Sequence, residues 1–99
     1  MLTISKTVEH NKAILSPEGR LDSSTAPMME SAVKAILPDI TDLTFHFEKL
    51  EYISSAGLRV LLSAQKAMDA KGKMKVTGVN EAVMEIFEIT GFSDILNIE

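Results

Sequence analysis

Two adjacent serines, Ser54 and Ser55, stand where a buried strand end is followed by a helix, and their hydroxyls are candidates for reversible chemistry. A serine at a helix start can accept a hydrogen bond from a free backbone N–H group. The same position favours negative charge by roughly 0.3–1 kcal/mol when exposed. A phosphate here is therefore expected to leave the fold intact while adding about −1.5 to −2 charges to the surface. Capping alone also explains two serines at this place, and from these residues alone it is the more common explanation.

The residues after the serines determine what surrounds their hydroxyls. Gly57 has no side chain, which lets another backbone or a partner approach closely. Leu58 begins the apolar stripe of the helix and anchors the turn. Arg59 lies four residues after Ser55 and shares its helix face, where it would pair with a phosphate or a partner carboxylate. A solvated arginine explains Arg59 equally well.

Segments of strand and helix character alternate along the chain and are expected to hold this corner in place. Alternating apolar and polar residues predict strands, and apolar residues at helical spacing predict helices. The predicted strands are 2–8, 12–18, 42–48, 73–77 and a weak final strand at 95–98, and the predicted helices follow residues 22–24, span 55–70 and follow Asn80. The predicted order is β-β-α-β-α-β-α-β, with Gly91 in the left-handed conformation at the end of the last helix.

The strand patterns also predict the arrangement of layers. Strands joined through helices are normally parallel, whereas the first two strands are joined by a tight turn at His10-Asn11. Strands buried on both faces read as continuous apolar runs, but those at 42–48 and 73–77 alternate. We therefore predict a single α/β domain over residues 1–99, a mixed four- to five-stranded sheet with helices packed mainly on one face.

The start of the first predicted helix holds the other polar cluster of interest. Asp22, Ser23 and Ser24 are potential N-caps, and Pro27 falls in the first turn, where its missing N–H does no harm. Asp22 and Ser23 are expected near the serine corner. Capping alone also explains both residues.

Composition excludes several classes of site. With no cysteine there is no disulfide, thiolate catalysis or zinc–thiolate site. His10 and His46 are not spaced as a metal pair, and His46 is predicted to be a surface residue without a carboxylate partner. The chain has no G-x-S-x-G elbow, P-loop or G-x-G-x-x-G motif, so neither an enzyme nor a cofactor or metal site is predicted. A net charge of −4 argues against nucleic-acid binding.

Neither a membrane-spanning segment nor an export signal is predicted from this sequence. No apolar run approaches the ~20 residues that span a bilayer. The N-terminus has no basic segment followed by an apolar stretch, so a signal peptide is not predicted. A cytoplasmic location is the expectation.

Three motifs resemble those of one known family. Residues 52–62, YISSAGLRVLL, resemble the signature of the STAS family, specifically the bacterial anti-sigma factor antagonists. Two further matches are Gly19-Arg20-Leu21-Asp22 followed by Thr25-Ala26, and Gly91-Phe92 after the last helix. Together they cover nearly the whole chain at the family's separations, and the family fold agrees with the predicted order.

The resemblance implies a function in partner switching during transcription regulation. Such proteins bind an anti-sigma factor that is also a GHKL-type serine kinase, and they are released when it phosphorylates them. The phosphorylated serine of the family aligns with Ser55, with Ser54 as the second choice, and a PP2C-type phosphatase removes the phosphate. ATP and magnesium belong to the partner, and the antagonist is expected as a monomer or weak dimer. The implied partner-binding residues are Asp22, Ser23, Ser54, Ser55, Ala56, Gly57 and Arg59.

Two departures from the family pattern keep alternatives open. The family's usual aspartate is here Ser54, and its usual second serine or threonine is Ala56. The alternative function is a STAS scaffold or transporter-associated subunit whose serine is never modified. A small serine hydrolase is the least favoured hypothesis, because no base or orienting group accompanies the serine.

Overall fold

The computed structural model describes residues 2–99, which form a five-stranded sheet and three helices. The strands are β1 (Leu2–Glu9), β2 (Lys12–Leu21), β3 (Asp42–His46), β4 (Leu50–Ile53) and β5 (Lys73–Thr77), and the helices are α1 (Ala26–Ile36), α2 (Ser55–Asp69) and α3 (Glu81–Thr90). Short 3₁₀ turns follow α1 at Leu37–Asp39 and α3 at Phe92–Asp94. Over the range 2–99, the helices are all too short or too polar to cross a membrane.

Strand β2 is the centre of the sheet. β1 pairs antiparallel with one edge of β2, from Leu2 opposite Gly19 to Glu9 opposite Lys12. On the other edge of β2, β3 pairs parallel with its first half and β4 pairs parallel with its end, beyond an irregularity at Gly19 and Arg20. β5 pairs parallel with β3, which completes the order β1-β2-β3-β5. The predicted mixed sheet is confirmed, with five strands.

The sheet buries one face under the helices. In β3, Leu43 and Phe45 are fully buried, whereas Thr44 and His46 on the opposite face are half-buried. On that outer face Ile14 of β2 is 44% exposed. The core continues into the helices through Met29, Val33, Leu61, Met68, Val83 and Phe87. One-sided packing is therefore confirmed, and removal of this apolar surface from water is the main force holding the layers together.

The predicted order is wrong in two places. The segment between α1 and α2 contains two strands rather than one, because the chain turns after Phe47, whose C=O accepts a hydrogen bond from Leu50 N–H at 3.0 Å. The final strand predicted at 95–98 does not form. Instead, a single parallel bridge joins Ile98 to Val76, and Ile95 follows the last 3₁₀ turn with 47% of its surface exposed.

The strands that lead to the two polar clusters end side by side. β2 ends at Leu21 and β4 ends at Ile53, and Ser54 N–H donates to the Leu21 C=O at 2.9 Å. Parallel strands present their carboxyl ends at the same edge of a sheet. The loop that opens α1 and the junction that opens α2 are therefore neighbours at this edge.

Candidate functional site

The junction between β4 and α2 is a helix start without a side-chain cap. Ser54 is the N-cap residue, with extended backbone angles φ −101 and ψ 178, and its C=O accepts from Leu58 N–H at 2.9 Å. Its hydroxyl makes no capping hydrogen bond. At the start of α3, by contrast, the side chain of Asn80 accepts from Val83 N–H at 2.9 Å. The helix start predicted at residue 55 is confirmed, but the capping explanation for Ser54 is not.

The two serine hydroxyls of this junction differ in access. The Ser54 oxygen is buried and has no hydrogen-bond partner within residues 2–99. Ser55 is exposed as the first residue of α2. Of the two hydroxyls, that of Ser55 is therefore the one presented to solvent at the corner.

Gly57 fixes the first turn of α2 against the sheet. It is buried, and a Cβ atom added there would lie 2.7 Å from Cγ1 of Ile53 and 2.8 Å from Cγ of Leu21. The close approach predicted at Gly57 is thus made by the protein's own core. Because interiors are packed to the density of organic crystals, this contact holds the corner rigidly on the ends of β4 and β2.

The loop between β2 and α1 is organised by the Asp22 carboxylate. Its Oδ1 accepts hydrogen bonds from the Ser24 hydroxyl at 2.7 Å, from Ser24 N–H at 3.0 Å and from Thr25 N–H at 3.2 Å. The bond from the Ser24 hydroxyl is the main cause that lowers the pKa of Asp22 below its ordinary value, against a smaller opposing effect of partial removal from water. The N-cap of α1 is Thr25, one residue later than the predicted candidates.

Thr25 joins this loop to the end of β2. Its buried hydroxyl donates to the Arg20 C=O at 2.9 Å and accepts from Asp22 N–H at 2.9 Å. Hydrogen bonds therefore tie the loop at both ends, and Asp22 and Thr25 are already occupied within the chain.

A shallow cleft of about 250 Å³ separates the first turns of α1 and α2. Ser23 and Pro27 line it from the α1 side, and Ala56 and Arg59 line it from the α2 side. Arg59 is exposed, and Ser23 and Ala56 line the same cleft although they lie far apart in the sequence. The structure thus brings together the two polar clusters that the sequence placed near each other.

Sequence reasoning missed two side-chain contacts on the outer face. The guanidinium of Arg20 lies 4.5 Å from the ring centroid of Tyr52, on adjacent strands at the same edge as the cleft. The exposure of His46 was predicted, but it does have a carboxylate partner: Nε2 lies 3.1 Å from Glu48 Oε2, and Nδ1 lies 3.0 Å from Thr77 Oγ1. The pairing of β3 with β5 brings Thr77 opposite His46, and the single sequence did not reveal that pairing.

Within residues 2–99, no three or more His, Asp or Glu side chains gather in a way that could hold a metal ion.

Comparisons with known proteins agree with this architecture. The anti-sigma-B factor antagonist of Staphylococcus aureus (strain NCTC 8325 / PS 47) is 28% identical to this chain, covering 98% of the chain and 92% of the relative. A crystal structure of an anti-sigma factor antagonist from Mycobacterium paratuberculosis superposes with a TM-score of 0.90 at 21% identity, covering 99% of this chain and 85% of that one. The phosphorylated form of SpoIIAA, a Bacillus cell fate determinant, gives a TM-score of 0.75 at 15% identity, covering 100% and 91%.

The solved structures show a shared fold, and the family itself is shown by sequence. The family model described as the STAS domain matches residues 3–99, which is almost the whole chain. The chain therefore belongs to the STAS domain family.

Proposed function

We propose that this protein is an anti-sigma factor antagonist that binds an anti-sigma factor with serine-kinase activity and is released by phosphorylation of Ser55. The Staphylococcus aureus relative is an anti-sigma-B factor antagonist, which supports the general role. The resemblance of residues 52–62 adds a GHKL-type kinase as the partner and a PP2C-type phosphatase that resets the switch. In this scheme the protein supplies a substrate serine and a docking surface rather than catalysis. Its partners act on transcription, so the proposal places it in the cytoplasm.

Access to the hydroxyl favours Ser55 over Ser54 as the acceptor. A kinase must align the acceptor oxygen with the transferred phosphoryl group, because phosphoryl transfer depends on positioning. The buried Ser54 oxygen would have to leave its site first, whereas Ser55 stands exposed on the first turn of α2. This difference is the observation that carries the proposal.

A phosphate on Ser55 would change the surface and spare the fold. The free N–H groups of the α2 N-terminus favour the added charge, and Gly57 keeps the turn packed on the sheet. Arg59 shares the helix face of Ser55 and is available to pair with the phosphate. The phosphate would add about −1.5 to −2 charges at this corner of a chain whose net charge is already −4.

The proposed docking surface is the cleft between α1 and α2 with the residues around it. Ser23, Ala56 and Arg59 line this cleft, and Asp22 and Ser55 are the chain neighbours of Ser23 and Ala56. The buried Ser54 oxygen and Gly57 contribute by shaping the corner beneath them. A partner that packs tightly here would have to remove water from a doubly charged phosphate or repel it, and either costs binding energy.

Phosphosite mapping tests the choice of residue. The purified protein is incubated with a GHKL-type anti-sigma kinase that binds it, ATP and magnesium, and the product is analysed by mass spectrometry. We expect one phosphate, on Ser55, that Ser55→Ala abolishes. Ser54→Ala is the matched control and should still be phosphorylated. A phosphate on Ser54, or none on either serine with a kinase that binds the protein, contradicts the proposal.

A charge mimic tests the switch separately from the modification. Ser55→Asp should keep the circular dichroism spectrum and melting temperature of the native protein while weakening kinase binding by about 1–3 kcal/mol, a typical coupling energy. Titration calorimetry measures the loss, and Ser55→Ala should bind like the native protein. Equal binding of the Ser55→Asp variant would refute a charge-based release.

The second candidate is a STAS scaffold that is never phosphorylated, and Ser54 in place of the family's aspartate favours it. That exchange removes a negative charge beside the acceptor. Unmodified protein recovered with membrane-transporter subunits, and no phosphate in the mapping experiment, would support the scaffold over the switch.

A further inference from the structure

The outer edge of β1 has no neighbouring strand within residues 2–99. The strand is eight residues long, contains no proline and pairs with β2 without a shift in register. Natural edge strands are normally kept short, bulged, interrupted by proline or charged, since an open edge is a template for another strand. From Leu2 to Val8 the only charged residue is Lys6. Lys6 is therefore the one usual protection against pairing that residues 2–8 of this edge carry.

The hairpin geometry identifies the backbone groups that face outward. The turn at His10 and Asn11 has two residues, so the flanking pair of Glu9 and Lys12 is a hydrogen-bonded pair, and such pairs alternate along the ladder. The even-numbered residues of β1 therefore direct N–H and C=O away from β2; they are Leu2, Ile4, Lys6 and Val8. Their side chains lie on the helix-covered face of the sheet, yet Val8 is 46% exposed.

We propose that two copies of this chain associate through their β1 edges, antiparallel, with Leu2 opposite Val8 of the second copy and Ser5 opposite Ser5. The paired segment is residues 2–8 of each chain. The outward N–H and C=O groups of each copy then find partners in the other, and the two sheets become continuous.

Charge and side-chain pattern select this register. Matching faces require even residues to pair with even residues, and the two longest such registers pair 2–8 with 2–8 or 3–9 with 3–9. The second places Lys6 directly opposite Lys6, and like charges in that position are destabilising. The first places each Lys6 opposite Ile4 and pairs Thr3 with Thr7.

The same register covers exposed apolar surface. Val8 comes to lie opposite Leu2 of the second copy and diagonal to Ile4, which are both apolar residues of the helix-covered face. On the outer face, Ser5 faces Ser5 and Thr3 faces Thr7, and such hydroxyl pairs contribute to strand pairing. A single pair of strands buries less than the roughly 1,200 Å² at the low end of stable interfaces, so the association is weak.

The proposed interface is separate from the Ser55 corner. β1 lies on one edge of β2, whereas β4, which leads to Ser55, lies on the other. Association therefore leaves Ser55 reachable, and the inference does not depend on the proposed phosphorylation.

Sedimentation velocity over a range of concentrations tests the association. Native protein should shift from monomer towards dimer between about 10 μM and about 1 mM, the range of weak complexes. Lys6→Pro removes an outward N–H while sparing the ladder to β2, and it should abolish the shift. The matched control Lys6→Ala keeps the N–H and should dimerise at least as well. A monomer throughout, or a dimer that Lys6→Pro leaves intact, overturns the proposal.

Two measurements on the unaltered protein keep the test independent of the proline variant's folding. Amide hydrogen exchange at Leu2, Ile4, Lys6 and Val8 should slow as concentration rises, whereas exchange at Thr3, Ser5 and Thr7 should not change. A mixed-label NMR sample should show a contact between Ser5 Hα and Ser5 Hα of the second copy, since facing non-hydrogen-bonded residues have Cα atoms about 4.5 Å apart. Concentration-independent exchange, or a contact between Ser5 and Thr7 instead, overturns the proposed register.

Discussion

The two strand-to-helix junctions at the carboxyl edge of the sheet are built in opposite ways. Between β2 and α1, the Asp22 carboxylate and the Thr25 hydroxyl hydrogen-bond to backbone groups on both sides of the loop. Between β4 and α2, the buried Ser54 hydroxyl has no partner within residues 2–99, and apolar packing around Gly57 holds the turn. Ser54 N–H joins the two junctions through the Leu21 C=O.

Because of this difference, the polar side chains of the first junction are used to form its structure, whereas a hydroxyl of the second junction is free to react. Asp22 and Thr25 are engaged in shaping their own loop, so altering them is expected to destabilise that loop. The α2 junction gains its shape from side chains beneath it, which leaves the exposed Ser55 free for other chemistry. A corner that is to be phosphorylated is best held by apolar packing beneath it, because a phosphate added to its surface then breaks no internal hydrogen bond.

The largest expected effect comes from disturbing the packing under the α2 junction. Gly57→Ala adds a Cβ within 3 Å of Ile53 and Leu21, and we expect a loss of about 3 kcal/mol in the free energy of unfolding, at the upper end for overpacked cores. Urea denaturation measures it. Ser55→Ala, at the exposed neighbour, should change stability by less than about 0.5 kcal/mol. If Gly57→Ala were as harmless as Ser55→Ala, packing would not be what holds this corner.

Removing one hydroxyl from each junction sharpens the comparison. Thr25→Val keeps the shape of the side chain but leaves Asp22 N–H and the Arg20 C=O without their partner, so we expect a loss of about 2 kcal/mol. Ser54→Ala removes a buried hydroxyl that satisfies nothing and should be neutral within about 0.5 kcal/mol or stabilising. Chemical denaturation of both variants measures the two changes in the free energy of unfolding. Equal losses would mean that the Ser54 hydroxyl is as important to its junction as the Thr25 hydroxyl is to the other.

The smallest effect is a pH dependence confined to the α1 loop. Because hydrogen bonds lower the pKa of folded Asp22, its contribution to stability is complete above the ordinary value of 3.8 and is lost as pH falls through the lower folded pKa. Asp22→Asn should therefore be less sensitive to acid over that interval than the native protein. Unfolding followed by circular dichroism between about pH 5 and pH 2 measures the difference. Parallel acid-denaturation curves for the two proteins would show that Asp22 does not contribute.

The fold was predictable where burial follows a simple period. Leu43 and Phe45 alternate with Thr44 and His46, and that pattern predicted both β3 and the one-sided packing of helices. β4 was not predicted because its four residues do not alternate: the first and last are buried and the two between them are exposed. Its pairing also depends on the irregularity at Gly19 in β2. The prediction of a final strand was wrong because Gly91, with φ 81, leads into a 3₁₀ turn, after which only Ile98 forms a bridge to the sheet among the residues predicted for that strand.

The candidate site was predictable in position but not in detail. Helix-start chemistry located Ser54 and Ser55, and the loop at Asp22 was expected nearby, as the hydrogen bond from Ser54 N–H to the Leu21 C=O confirms. Which of two adjacent hydroxyls is buried depends on the path of the chain over Leu21, and a linear sequence does not contain that path. The partner of His46 was likewise fixed by strands that meet only in three dimensions.

The position of β2 at the centre of the sheet also has a consequence for the order of assembly. All three of its neighbours, β1, β3 and β4, lie before residue 54, so these four strands can come together before α2 and α3 have left the ribosome. During translation the part of the apolar face that α1 does not cover would then be exposed to water until α2 and α3 leave the ribosome. The helices α2 and α3 thus complete the cover of the sheet only at the end of synthesis.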